Sequence, residues 1–160
     1  MLTELRIADL GVIAEAMLEP GPGFTAVTGE TGAGKTMVVT GLSLLLGGRA
    51  DSGLVRHGAT RCVVEGVWTV DEAATDELTE LGAETDDGEL LVSRQVGRTR
   101  SRALLGGVAV PLGRAADVVT RWATIHGQSE QIRLGTADRQ REVLDRYAGA
   151  DHSSLMVRHG

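Results

Sequence analysis

The sequence predicts an α/β fold with an antiparallel β part, on three observations. The first is a glycine loop, Gly29-Glu30-Thr31-Gly32-Ala33-Gly34-Lys35-Thr36, which fits G-x-x-x-x-G-K-[S/T] at every fixed position. The second is its setting. The apolar residues 24–28 read as a buried strand before the loop, and residues 35–46 read as a helix after it. The third is the stretch 61–110, where strand-forming runs alternate with glycine turns.

Each element has its own signal. Residues 2–7 read as a strand, Gly11 turns the chain, and residues 12–18 read as a second strand. Pro20-Gly21-Pro22-Gly23 is a turn before the third strand at 24–28. The helix 35–46 carries Met37, Val38, Val39, Leu42, Leu44, Leu45 and Leu46, apolar on nearly every side, so it is expected to be buried. It ends at Gly47-Gly48. A polar loop, 49–60, leads to a long strand, 61–70. Residues 71–81 read as an acidic surface helix. Residues 90–96 and 101–105 read as paired strands, and Gly106-Gly107 turns into a third run, 108–110. Pro111 opens a helix to residue 122, and Thr136 can cap another over 137–147. The tail 151–160 has no pattern and is expected to fray.

The glycine loop has a chemical meaning. Gly29, Gly32 and Gly34 can take backbone angles closed to other residues, so successive N–H groups can line an anion nest at a helix N-terminus. Lys35 would reach the outer phosphates of a nucleotide, and the Thr36 hydroxyl would face Mg²⁺. Of the 16 basic residues, Lys35 is the only lysine. An ammonium and a guanidinium are not interchangeable in a tight nest.

Composition bounds the reading. The chain has 160 residues, enough for one domain with a core, and 42% are hydrophobic. The aromatic residues are Phe24, Trp68, Trp122 and Tyr147, too few for a base-stacking single-strand binder. The formal net charge of −6 means that any DNA contact is local or made by parts outside this sequence. Cys62 is the one cysteine, which excludes an internal disulfide and reads as a buried small hydrophobe. Residues 1–10 carry Glu4, Arg6 and Asp9 and lack the apolar core of a signal peptide, so the expected location is the cytoplasm.

Hydrolysis needs a carboxylate at the end of an apolar strand to hold Mg²⁺. The nearest match is Val67-Trp68-Thr69-Val70-Asp71-Glu72, which reads better as a boundary between strand and helix. Cys62-Val63-Val64-Glu65 is weaker. No catalytic residue is therefore assigned. The sequence contains no asparagine, so an Asn-Lys-x-Asp guanine-reading segment is absent. Neither Gly47-Gly48 nor Gly106-Gly107 matches the Leu-Ser-Gly-Gly signature of ATP-binding cassette (ABC) proteins.

Several stretches in order resemble the N-terminal part of the RecN family, bacterial DNA repair proteins related to the SMC ATPases. They are residues 2–10 with Val12-Ile13, the loop 25–36, Leu44 through Asp51, Val63-Val64-Glu65-Gly66, Arg100-Ser101-Arg102-Ala103, and Ile125-His126-Gly127-Gln128 with Glu130. Departures are Thr36 where serine is usual, Thr99 where glycine is usual, and Gly106 where asparagine is usual. The resemblance implies a phosphate-loop NTPase fold, the N-terminal lobe of an ABC/SMC-type ATPase head, over residues 1–150. Residues 151–160 would then be a frayed tail or the start of a coiled coil.

The resemblance also implies ATP and Mg²⁺ as cofactors. Gln128 would be the Q-loop glutamine, touching Mg²⁺ and the water near the γ-phosphate; read from the residues alone it is equally a polar turn residue. His126 has no derived role. Implied partners are a C-terminal head lobe and coiled coil, a second head in a head-to-head homodimer, and DNA. The implied function is ATP binding in recombinational repair of double-strand breaks, with little hydrolysis by this chain. Two alternatives stand beside it: a self-sufficient small phosphate-loop kinase or NTPase using Asp71 or Glu72, and a non-functional remnant. Arg94, Arg98, Arg100 and Arg102 cluster on the predicted hairpin and are read as a solvated face rather than a DNA contact.

Overall fold

A computed structural model of the chain describes residues 1–30 and 34–125. Strand β1 (Leu2–Leu10) and strand β2 (Ile13–Leu18) form a hairpin turned at Gly11. Helix α1 (Lys35–Leu45) follows the glycine loop, and a short 3-10 turn covers Ser52–Leu54. Then come β3 (Arg61–Thr69), α2 (Glu72–Glu80), β4 (Glu89–Gly97), β5 (Ser101–Leu105), β6 (Val108–Val110) and α3 (Leu112–Val119). Met1–Thr124 form one compact unit; of the second, Ile125–Gly160, only Ile125 is described. The expected boundary at residue 150 and the helix at 137–147 lie outside the described residues.

The strands make one six-stranded sheet in the order β2-β1-β3-β4-β5-β6, each pair antiparallel. The antiparallel part is thus larger than the expected 61–110, because the first hairpin joins it through β1 and β3. Alternation along each strand gives the sheet a buried face. Ile7 pairs with Val64, Val64 with Arg94, and Arg94 with Ala103, so these four share one face. Leu5, Cys62, Trp68, Leu90, Val92, Val96 and Leu105 bury on it too. Each buried aliphatic side chain contributes about 1.5–3 kcal/mol relative to exposure.

Helix α1 lies on this face. Gly41 permits the approach: a β-carbon there would stand 3.1 Å from Ile7 Cδ1 and 3.4 Å from Val64 Cγ1. Helix α3 covers the next part of the face with Ala115, Val118 and Val119 buried, and Trp122, just beyond it, sits 6.3 Å from the Trp68 ring. Asp71 caps α2, its Oδ1 accepting from the Ala74 N–H at 2.8 Å.

Three expectations are corrected. Residues 24–28 form no strand, and Phe24 is 94% exposed. A strand needs a hydrogen-bonded neighbour, and none of the described strands pairs with this segment. Helix α1 is not buried all round: Gly41, Leu44 and Leu45 bury, whereas Val39 is 51% exposed, because the sheet and α3 cover one side only. Arg94 does not join the arginines of the hairpin turn. It falls on the core face at 4% exposure, where strand alternation puts it between Val92 and Val96.

Candidate functional site

The site is built where the first hairpin meets the start of α1. Gly34 precedes the helix with φ 95° and ψ 0°, a left-handed conformation that disfavours any residue with a β-carbon. Its carbonyl accepts from the Met37 and Val38 N–H groups, which starts the helical ladder. The N–H groups of the first helical turn have no intrahelical partner, and the helix dipole adds positive potential at this end. Gly34 is seated against Ile13 and Val12, so the hairpin fixes where the loop enters α1.

Lys35 is the charged member. Its Nζ donates to the Glu30 carbonyl at 2.5 Å and to the Gly29 carbonyl. The ammonium is thereby tied to the backbone of Gly29 and Glu30 at the start of the loop. Thr36 is exposed on the first turn of α1, and its carbonyl accepts from Thr40 Oγ1 at 2.8 Å. Gly29, Glu30, Gly34, Lys35 and Thr36 are thus brought together at one end of the sheet. Thr31, Gly32, Ala33, His126 and Gln128 lie outside the described residues.

A hollow of about 460 Å³ opens beside this loop, lined by Gly34, Lys35, Thr36 and Met37 with Gly11, Val12, Gly53 and Leu54. The sequence does not mark the last four as site residues. They arrive because the loop after α1 is tied to the hairpin: Gly11 N–H donates to the Leu54 carbonyl at 2.8 Å, Arg56 N–H to the Asp9 carbonyl at 2.9 Å, and Arg56 Nη1 to the Val12 carbonyl at 3.2 Å. Asp51 shapes that loop by accepting from the Gly53 N–H at 2.7 Å. The Asp-x-Gly spacing was a legible turn signal.

The acidic candidates for metal binding lie elsewhere. Leu2 of β1 pairs with Trp68, and the other end of β1 reaches Gly11 beside the loop. Asp71 and Glu72 therefore sit one strand length away, roughly 25 Å for eight steps of about 3.3 Å. Asp71 is also occupied as the cap of α2. Glu65 pairs with Arg6 and Ser93 on the face opposite α1. Among the described residues, no group of three or more His, Cys, Asp or Glu could hold a metal. Of the described residues at the helix start, the Thr36 hydroxyl is an oxygen donor of the kind a hard cation takes.

The comparisons follow this geometry. The family model for the AAA domain matches residues 4–134. The chain belongs to the AAA-domain family. Within it the sequence is of the RecN type. It is 57% identical over 148 residues to the DNA repair protein RecN of Streptomyces coelicolor, covering 91% of this chain and 26% of that protein. It is 50% identical over 159 residues to RecN of Mycobacterium tuberculosis, covering 94% of this chain and 27% of that one. The chain thus spans about a quarter of the length of the curated relatives it matches. A solved structure from work on ATP-driven dimerization and DNA-stimulated activation of SMC ATPases matches with a TM-score of 0.64 at 18% identity, over 90% of this chain and 97% of that one. At that identity the likeness speaks for the fold, an ATPase-head lobe. No helix among the described residues is long and apolar enough to cross a membrane.

Proposed function

We infer that this lobe binds the triphosphate of ATP with Mg²⁺ as one part of a RecN-like ATPase that repairs DNA double-strand breaks by recombination. The observation that carries it is the joined arrangement at α1: a left-handed Gly34, the Lys35 ammonium tied to the Gly29 and Glu30 carbonyls, and a hollow of about 460 Å³ beside them. In this reading the backbone of Gly29, Glu30, Thr31, Gly32, Ala33 and Gly34 wraps the phosphates. Lys35 leaves its backbone acceptors for the outer phosphate oxygens, Thr36 holds Mg²⁺, and Gln128 touches the ion and the water near the γ-phosphate. The repair role is carried over from the RecN relatives, which are DNA repair proteins by name.

The partners in this reading are a C-terminal head lobe with its coiled coil, a second head facing the first across ATP, and DNA, in the cytoplasm. Exposed Phe24 and Val27 before the loop, with exposed Val39 on α1, support a covering lobe, since these apolar groups have no cover among the described residues. Domain limits at 1–150 and 151–160 belong to the same proposal. The test is titration of the purified chain with MgATP in a calorimeter, beside Lys35→Ala. Binding that the variant loses by at least about tenfold supports the reading. Affinity unchanged in the variant overturns the site, and rapid ATP turnover abolished by Lys35→Ala overturns the claim that hydrolysis needs the other lobe.

A further inference from the structure

We propose that a second site, an arginine groove at the tip of β3, β4 and β5, grips the sugar-phosphate backbone of duplex DNA. The groove has a volume of about 660 Å³ and is lined by residues that include Arg61, Arg98, Arg100 and Arg102. Among the described residues no acidic one lines it, in a chain whose net charge is −6. All four arginines are exposed, and among the described residues none pairs with a carboxylate.

The fold brings them together in a defined way. Gln95 pairs with Val63 on one side and Arg102 on the other, and Arg61 lies two residues before Val63. Arg61, Gln95 and Arg102 therefore share the face turned away from α1. Arg61 and Arg102 stand two strand spacings apart and two residues offset along the strands, roughly 12 Å. The Gly97–Arg100 turn, closed by the Gly97 N–H on the Arg100 carbonyl at 2.8 Å, carries Arg98 and Arg100 beyond the strand ends. Gly58, Ala59 and Thr60 make the remaining wall.

The chemistry selects the occupant. Four guanidiniums on a concave surface match a line of phosphates, which repeat about every 3.4 Å of duplex axis per strand. Among the described residues the groove has no aromatic side chain on which an unpaired base could stack, so a single strand gains nothing there over a duplex. Base edges are not read, and binding is independent of sequence. This assignment rests on the DNA-repair reading of the family but not on the nucleotide loop.

The experiment is fluorescence anisotropy of a labelled 30-base-pair duplex with the chain across a salt series. The expected slope of log K against log salt is about −3 to −4, with the same affinity for two unrelated duplex sequences. Arg98→Gln/Arg100→Gln/Arg102→Gln together should flatten the slope to about −1 and weaken low-salt binding about tenfold or more. Arg114→Gln, an exposed arginine on α3 away from the groove, and Lys35→Ala should both keep the parent slope; circular dichroism checks that each variant is folded. No salt-dependent binding by the parent, an unchanged slope in the triple variant, an equal loss in Arg114→Gln, or tighter binding of oligo(dT) than of duplex would each overturn the proposal. Loss of MgATP binding in Lys35→Ala with DNA binding intact separates this site from the nucleotide site.

Discussion

Gly41 of α1 lies flat against Ile7 of β1, so close that a β-carbon would stand 3.1 Å from Ile7 Cδ1. This contact sets the height of α1 above the sheet, and with it the position of Gly34 and Lys35 at the start of the same helix. A larger side chain would lift the helix. Gly41→Val is expected to destabilise by about 1–3 kcal/mol from overpacking. The gain in helix propensity of Val over Gly, about 0.4 kcal/mol, does not offset that. Urea unfolding followed by tryptophan fluorescence measures it. A midpoint equal to or above the parent's would mean that α1 does not rest on Ile7.

Asp71 is a helix cap and sits roughly 25 Å from the glycine loop along β1. Asp71→Ala should therefore lower stability by about 1 kcal/mol, whereas Asp71→Asn keeps a capping oxygen and should leave it within a few tenths. Neither change should alter the Mg²⁺ dependence of nucleotide binding. Thermal unfolding and MgATP titration of both variants give the answer. Loss of Mg²⁺-dependent binding in Asp71→Asn would restore the reading of a self-sufficient NTPase.

What was legible in the sequence was what local chemistry decides. The hairpin turn at Gly11, the helix after Gly34, the Asp71 boundary and the β4–β5–β6 meander all follow from glycine positions, capping and alternation, and the structure has each of them. Residues 24–28 show the limit: an apolar, strand-forming run says nothing of whether a neighbour is there to pair with it. Arg94 is a different kind of miss. Leu90, Val92, Arg94 and Val96 alternate, and that pattern alone placed the arginine on the core face. Grouping it with Arg98, Arg100 and Arg102 by proximity in sequence ignored the pleat. Gly53 and Leu54 could not be read as lining the candidate site, because only the tertiary tie between Gly11 and Leu54 brings them there.

Arg94 lies in the core with its Nε lacking a hydrogen-bond partner among the described residues, and burial pushes its pKa down from the ordinary guanidinium value. A buried donor without an acceptor lowers stability by about 1–3 kcal/mol. Arg94→Met keeps the chain length and much of the volume while removing the unmet donor. It should unfold at the same or higher urea concentration than the parent, by an amount equivalent to about 0–2 kcal/mol. A drop in the midpoint would show that the guanidinium makes a bond that holds the core together.

Cys62 faces the core on β3, and burial pushes its thiol pKa up. The direct consequence is low reactivity: in the folded chain a disulfide reagent at pH 8 should label it far more slowly than in urea, since the thiolate is the nucleophile. The second consequence is a pH dependence whose sign follows from linkage. Above the unfolded thiol's ordinary value, about 8.5, the unfolded chain releases this proton while the folded chain retains it. The unfolded state then binds fewer protons, so stability falls as pH rises. The contribution is fully present below the unfolded value and is lost as pH climbs through the raised folded value. Cys62→Ala removes the group, so the parent's urea midpoint should fall more steeply than the variant's between pH 8 and pH 10. Parallel slopes in the two chains, or equal labelling rates with and without urea, would place the thiol in contact with solvent and contradict its burial on the core face of β3.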